Sequence, residues 1–250
     1  MNRYRKIGIK QTVQKHWMDR VVQMMLAGMS DVDIRNDLLV YLRSQKQSGG
    51  EADRGLKTYT MAIGILASWF SPAPELRKFV DRSLKLAEPM NQQNLLPLHW
   101  AVISSSYPFW FNVAHQAGRL LALQERVTQS QIVIRLKEQY GDRETISRNT
   151  RYVLRSFVAW GVLRDSDKRG TYSMGNKFHI VDINTVLINY EAALHATDTG
   201  KLSLDLLMKH PGLFPFETSL FSIGEITANL PNSLSIQRFS SADTILMLET

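Results

Sequence analysis

Between positions 145 and 175 the chain reads TISRNTRYVLRSFVAWGVLRDSDKRGTYSMG, and Arg148, Arg151 and Arg155 recur there at spacings of three and four. At about 100° per residue these three arginines share an arc of roughly 60° on a helical wheel. Thr145 and Tyr152 flank that arc, while Ile146, Val153, Leu154 and Phe157 fall on the opposite side. A guanidinium is planar, permanently charged, and suited to donating paired N–H groups to phosphate oxygens or to the edge of a guanine. The chemistry on offer is therefore capture of something negative. No acidic residue lies between Glu144 and Asp165, so the stripe reads as lacking the i,i+4 opposite charges of an ordinary solvated helix.

A second basic element follows. The turn DSDKRG places Lys168 and Arg169 between two short apolar stretches, as a β-hairpin tip would. The candidate contact set for a polyanion is thus Arg143, Thr145, Ser147, Arg148, Arg151, Tyr152, Arg155, Arg164, Lys168 and Arg169. Charge along the chain agrees. Positions 126–177 hold 11 Lys and Arg against 5 Asp and Glu, whereas 178–250 hold 3 against 8. A basic centre and an acidic C-terminal region speak to partners rather than to fold.

Catalytic patterns are missing from the sequence. The six histidines (His16, His99, His115, His179, His195, His210) form no H-x-x-x-H or H-E-x-x-H spacing, and His99 and His115 read as core or boundary residues. Phosphate-binding glycine loops and a G-x-S-x-G elbow are likewise lacking. Asp31/Asp33 read as a helix cap and Asp165/Asp167 as a turn. No catalytic residue, metal site or cofactor is expected, and the chain is read as a non-enzyme. There is no cysteine, which suits a reducing cytoplasm. The longest apolar run, 59–70, is about half the ~20 residues of a membrane span, and the basic N-terminus has no apolar signal core. A cytoplasmic protein without a membrane partner is expected.

The elements that must position these side chains can be read from periodicity. Helices are expected over 12–29, 32–44 (capped by Ser30 with Asp33), 56–70 and 74–88, with QKQSGGEADRG (45–55) as a loop and NQQNLLP (91–97) as a break. LHWAVISSSYPFWF (98–111) is aromatic-rich and carries no clear period. A helix then fits 109–124, followed by extended RVT, a helix over 129–140 capped at Thr128 or Ser130, the turn GDRE, the arginine-striped helix over 145–160, and strands VLRD and GTYSM. Beyond these, 182–196 and 202–210 read as helices, and LSIQRF and TILMLE as a closing hairpin across SSAD.

GDRETISRNTRYVLRSFVAWGVLRD, in this helix–strand–helix–turn–helix–hairpin order, resembles winged helix-turn-helix transcription factors over about 70 residues. The resemblance implies a three-helix core plus wing, with the arginine helix entering the major groove of double-stranded DNA and Lys168 and Arg169 reaching phosphates. The arrangement of a helical domain joined to a winged helix is also similar to a small component of bacterial BREX-type phage-defence islands, a likeness that no particular motif carries. The expected fold is mainly α: a helical domain over 1–105, a winged helix over 106–177, and an acidic α/β region with a closing hairpin over 178–250. The expected function is DNA binding, either as the DNA-contacting subunit of a multi-protein complex or as a transcriptional regulator.

Two further features stay open in the sequence. Arg3, Tyr4, Arg5, Lys6, Lys10 and Lys15 form a basic N-terminal arm, read either as a tail or as a segment tracking the DNA backbone. The acidic C-terminal region either packs on basic parts of its own chain or offers LFPF (213–216) and TILMLE as an adhesive surface for a protein partner or a second copy. The latter defines an alternative function, an adaptor whose winged helix and C-terminus bind proteins only.

Overall fold

The computed structural model describes residues 3–45, 56–91, 94–218, 220–238 and 244–249. Most of the expected 45–55 loop and the SSAD connection lie outside these residues. The fold is mainly helical with a few small sheets. It opens with α1 (Lys15–Leu26) and α2 (Asp31–Ser44), followed by α3 (Leu56–Phe70) and α4 (Arg77–Ala87). Ser30 caps α2 by accepting from the Asp33 amide, as its sequence context suggested. A single 3-10 turn at Pro74–Leu76 separates α3 from α4, where the two prolines of SPAP forbid a continuous helix.

The aperiodic stretch 98–111 resolves into two helices, α5 (Leu96–Ser106) and α6 (Pro108–Leu121). Tyr107 sits between them in an extended conformation, because Pro108 disfavours helical backbone at the residue before it. Every residue of α5 from Leu98 to Ser105 is buried. A helix surrounded on all sides has no polar face, which is why the sequence showed no period there. His99 lies fully buried within α5. Its Nδ1 accepts from the Trp69 indole at 3.1 Å, and its Nε2 meets Asp19 at 2.8 Å. An indole N–H only donates, so His99 is the neutral Nε2–H tautomer. Burial also pulls its pKa down, and the ring acts as a strut between α1, α3 and α5.

The centre of the chain runs α6, β1 (Arg126–Thr128), α7 (Gln129–Tyr140), α8 (Glu144–Ala159), β2 (Leu163–Asp165) and β3 (Thr171–Met174). Thr128 makes a full capping box with Gln131. β3 is the middle strand, antiparallel to both neighbours, with Val127 opposite Tyr172 on one side and Arg164 opposite Ser173 on the other. Gly161 takes φ +73° directly after α8 and so permits the turn into β2.

The C-terminal region departs from expectation at 202–210. Lys201–Ser203 is a strand, β5, paired antiparallel with the last strand, and only Leu204–Met208 is helical, as α10. Before it come β4 (Phe178–His179) and α9 (Ile183–Ala196); after it come β6 (Phe216–Glu217), α11 (Ile223–Ala228), β7 (Leu234–Arg238) and β8 (Thr244–Leu248). The expected β7–β8 hairpin pairing is present, but β8 is the centre of a three-stranded sheet in the order β5-β8-β7. LFPF is not an exposed docking segment, since Leu213, Phe214, Pro215 and Phe216 are all buried. Gly118 of α6 makes this possible, because a Cβ there would stand 2.3 Å from the Pro211 carbonyl oxygen.

One hydrophobic core joins all three segments of the chain. Trp100 of α5 stacks on Phe157 of α8 at 4.7 Å and meets Phe216 of β6 edge-on at 5.6 Å. Trp110 and Trp160 close the cluster, their centroids 5.0 Å apart. Such aromatic pairs contribute about 0.5–1.5 kcal/mol each beyond their burial.

Candidate nucleic-acid interface

Helix α8 carries its side chains on two faces. Ile146, Val153, Leu154 and Phe157 are completely buried, while Arg148, Arg151 and Arg155 are exposed. Burial of the apolar face fixes the helix axis, and the arginines stand outward as a ridge. A shallow groove lies on each side of that ridge.

The first groove, about 440 Å³, runs between α8 and the β2–β3 hairpin, and it is lined by Arg151, Arg155, Arg169, Asp165, Asp167 and Tyr172 among others. The Arg155 guanidinium donates to both Asp165 carboxylate oxygens at 2.6 and 2.7 Å. Arg155 therefore has an acidic partner within the chain, contrary to its reading as an unopposed charge. The stripe also contains one i,i+4 pair that the sequence reading overlooked, Glu144 with Arg148 at 3.9 Å. Both of those side chains are largely solvent-exposed, so the pair is weak. Burial raises the Tyr172 pKa, with the nearby Arg155 working in the opposite direction. Among the described residues, Arg143, Arg151, Lys168 and Arg169 have no acidic partner. Arg151 lies 5.6 Å over the Tyr152 ring.

The second groove, about 480 Å³, lies on the other side of α8. Arg143, Thr145, Arg148 and Tyr152 form one wall and the N-terminal segment forms the other, through Arg5, Lys6 and Lys10. This segment is a packed strap rather than a loose tail. Ile7, Ile9 and Val13 are buried, and Arg5, Lys6 and Lys10 are exposed. Arg3 anchors one end by donating to the His195 carbonyl and pairing with Glu75 at 3.7 Å. At the other end the Val13 amide donates to Ser156 Oγ and its carbonyl accepts from the Trp160 indole, each at 2.9 Å.

Six of the ten expected contact residues thus lie together on or beside the α8 ridge: Arg143, Thr145, Arg148, Arg151, Tyr152 and Arg155. Arg169 faces them across the first groove, and Lys168 is exposed at the hairpin tip. Two are turned aside. Ser147 sits against α7, with its carbonyl accepting from Gln129 at 3.2 Å, and Arg164 donates to Asn176 at 3.3 Å. The strap's place in the site was missed, although Ile7 and Ile9 alternating with cations was a usable sign of a segment buried on one side.

Elsewhere, four of the acidic C-terminal residues are used internally. Arg82 of α4 pairs with buried Glu191, Lys177 with Glu217 at 3.0 Å, and Asp182 and Glu225 cap α9 and α11. Among the described residues no three His, Asp or Glu gather as a metal site, and no helix is long and apolar enough to cross a membrane. No family model, no curated protein and no solved structure matches this chain.

Proposed function

We propose that residues 106–177 form a winged helix-turn-helix and that the protein binds double-stranded DNA through it, without catalysing a reaction. The observation that carries the reading is the α8 ridge. Three arginines stand exposed on a helix whose opposite face is fully buried, with a basic hairpin tip beside them. A helix about 10–12 Å across matches a major groove about 12 Å wide, and α8 would insert with Arg148, Arg151 and Arg155 toward bases and phosphates. The β1-β3-β2 sheet order, with Lys168 and Arg169 at the β2–β3 tip, supports a wing over the neighbouring backbone. The adaptor alternative loses LFPF, which lies in the core, while TILMLE buries Leu246 and leaves Ile245, Met247 and Leu248 half-buried.

The test is a duplex-binding assay with Arg148→Ala combined with Arg151→Ala. Loss of two groove contacts is expected to weaken binding by about 2–5 kcal/mol while the melting temperature holds, because both side chains are exposed. Unchanged affinity would remove α8 from the interface.

A further inference from the structure

The second groove has no place in a three-helix unit with one wing, yet it is lined by more cations than the first and by no acid. Its walls come from two distant parts of the chain, and five of its residues are cations: Arg5, Lys6, Lys10, Arg143 and Arg148. None of the described residues lining it is acidic. Among the described residues, the one acid paired with a lining cation is Glu144, at 3.9 Å from Arg148. Keeping so many like charges around one concavity has a repulsive cost that an anionic occupant would relieve.

The placement of the groove narrows the choice of anion. Along α8, Arg151 and Arg155 line the hairpin side, Thr145 and Tyr152 line the strap side, and Arg148 stands with the strap wall. The ridge therefore has an acid-free cationic trough on the strap flank and, on the hairpin flank, a groove with three arginines against Asp165 and Asp167. A helix seated in a major groove likewise has one phosphodiester backbone on each flank, and each belongs to a different strand.

Resting on the DNA-binding reading above, we propose that the strap groove receives the phosphodiester backbone of one strand while the hairpin groove receives that of the other. The N-terminal strap is then half of the clamp. Its fixed anchors at Arg3 and Val13 hold Arg5, Lys6 and Lys10 in position before DNA arrives, so little ordering entropy is spent on binding. Contacts of this kind read charge and not sequence.

The experiment compares full-length wild type, Arg5→Ala/Lys10→Ala and Arg151→Ala/Arg169→Ala on one random-sequence duplex across a salt series. Each phosphate contact contributes about 0.9 to the slope of log affinity against log salt. Each double variant is expected to lose roughly 1–2 from the slope while still binding through the other groove. The charge-preserving Arg5→Lys/Lys10→Arg variant should restore the wild-type slope. Methylphosphonate substitution should locate the strap's phosphates on one strand and the hairpin's on the other. If the strap variant keeps the wild-type slope while Arg151→Ala/Arg169→Ala does not, the clamp is wrong and DNA binding stands. If wild type fails to bind duplex at low salt, the DNA reading falls and the clamp falls with it. Displacement of duplex by inorganic phosphate, at matched ionic strength, would make the strap groove a small-anion site and overturn the proposal.

Discussion

Arg155 shows how a single residue can be tuned within a charged surface. Its guanidinium is held by Asp165 across the hairpin groove in a two-oxygen contact, with both side chains about half exposed at 44% and 51%. Exposed pairs of this kind contribute little to stability. Their main effect here is on the groove, where Asp165 orients Arg155 and would repel a phosphate of the proposed duplex. Repulsion should dominate, because Arg151 and Arg169 also need the site. Asp165→Asn is therefore expected to raise duplex affinity about three- to tenfold at low salt, with little change in stability. Weaker binding in a direct titration would instead make Asp165 a positioning group for Arg155. None of this was legible from the sequence. Arg155 and Asp165 are ten residues apart, and their meeting depends on how the turn at Gly161 brings β2 back along α8.

At the level of elements, legibility followed periodicity. α7 and α8 were readable to within a residue because each has one buried and one wet face, and Thr128 and Gln131 announce the start of α7. α5 was not readable, since it is buried all round. The stretch at 201–210 was misread because Lys201–Ser203 pairs with Lys201↔Met247 and Leu202↔Leu246 contacts more than forty residues away, and no local pattern encodes them. The strap was visible as a basic arm, but its seat on α8 was not. Phe157 is among the fully buried residues that hold α8, and it stacks on Trp100 and lies edge-on to Trp110 at 5.0 Å. Phe157→Ala should cost about 3–5 kcal/mol in urea unfolding. A cost under 1 kcal/mol would mean that the aromatic cluster does not seat the helix.

Across the whole molecule, one core links the strap, the central unit and the C-terminal sheet. His99 is buried in that core, and His115 and His210 are partly buried at its edge. Burial pulls His210 from 6.5 down to about 4, and it lowers His99 and His115 as well. The unfolded chain binds those protons near pH 6.5, and the folded chain resists them to lower pH. Their contribution is therefore fully present above pH 6.5 and is lost as pH falls below it, for His210 down to about 4, at up to about 1.4 kcal/mol per pH unit. A melting temperature that drops steadily as pH falls from about 6.5 to 5 is expected. A flat or rising profile over that interval would contradict the neutral state of these histidines.

The central claim is that the exposed arginines of α8 and the hairpin tip exist to meet duplex DNA. It is tested most directly by titrating the wild-type protein with a random-sequence duplex at several salt concentrations. Micromolar or tighter binding at low salt, weakening with a slope of about −0.9 for each phosphate engaged, is the result the account predicts. Absence of binding at low salt, or binding indifferent to salt, would contradict it.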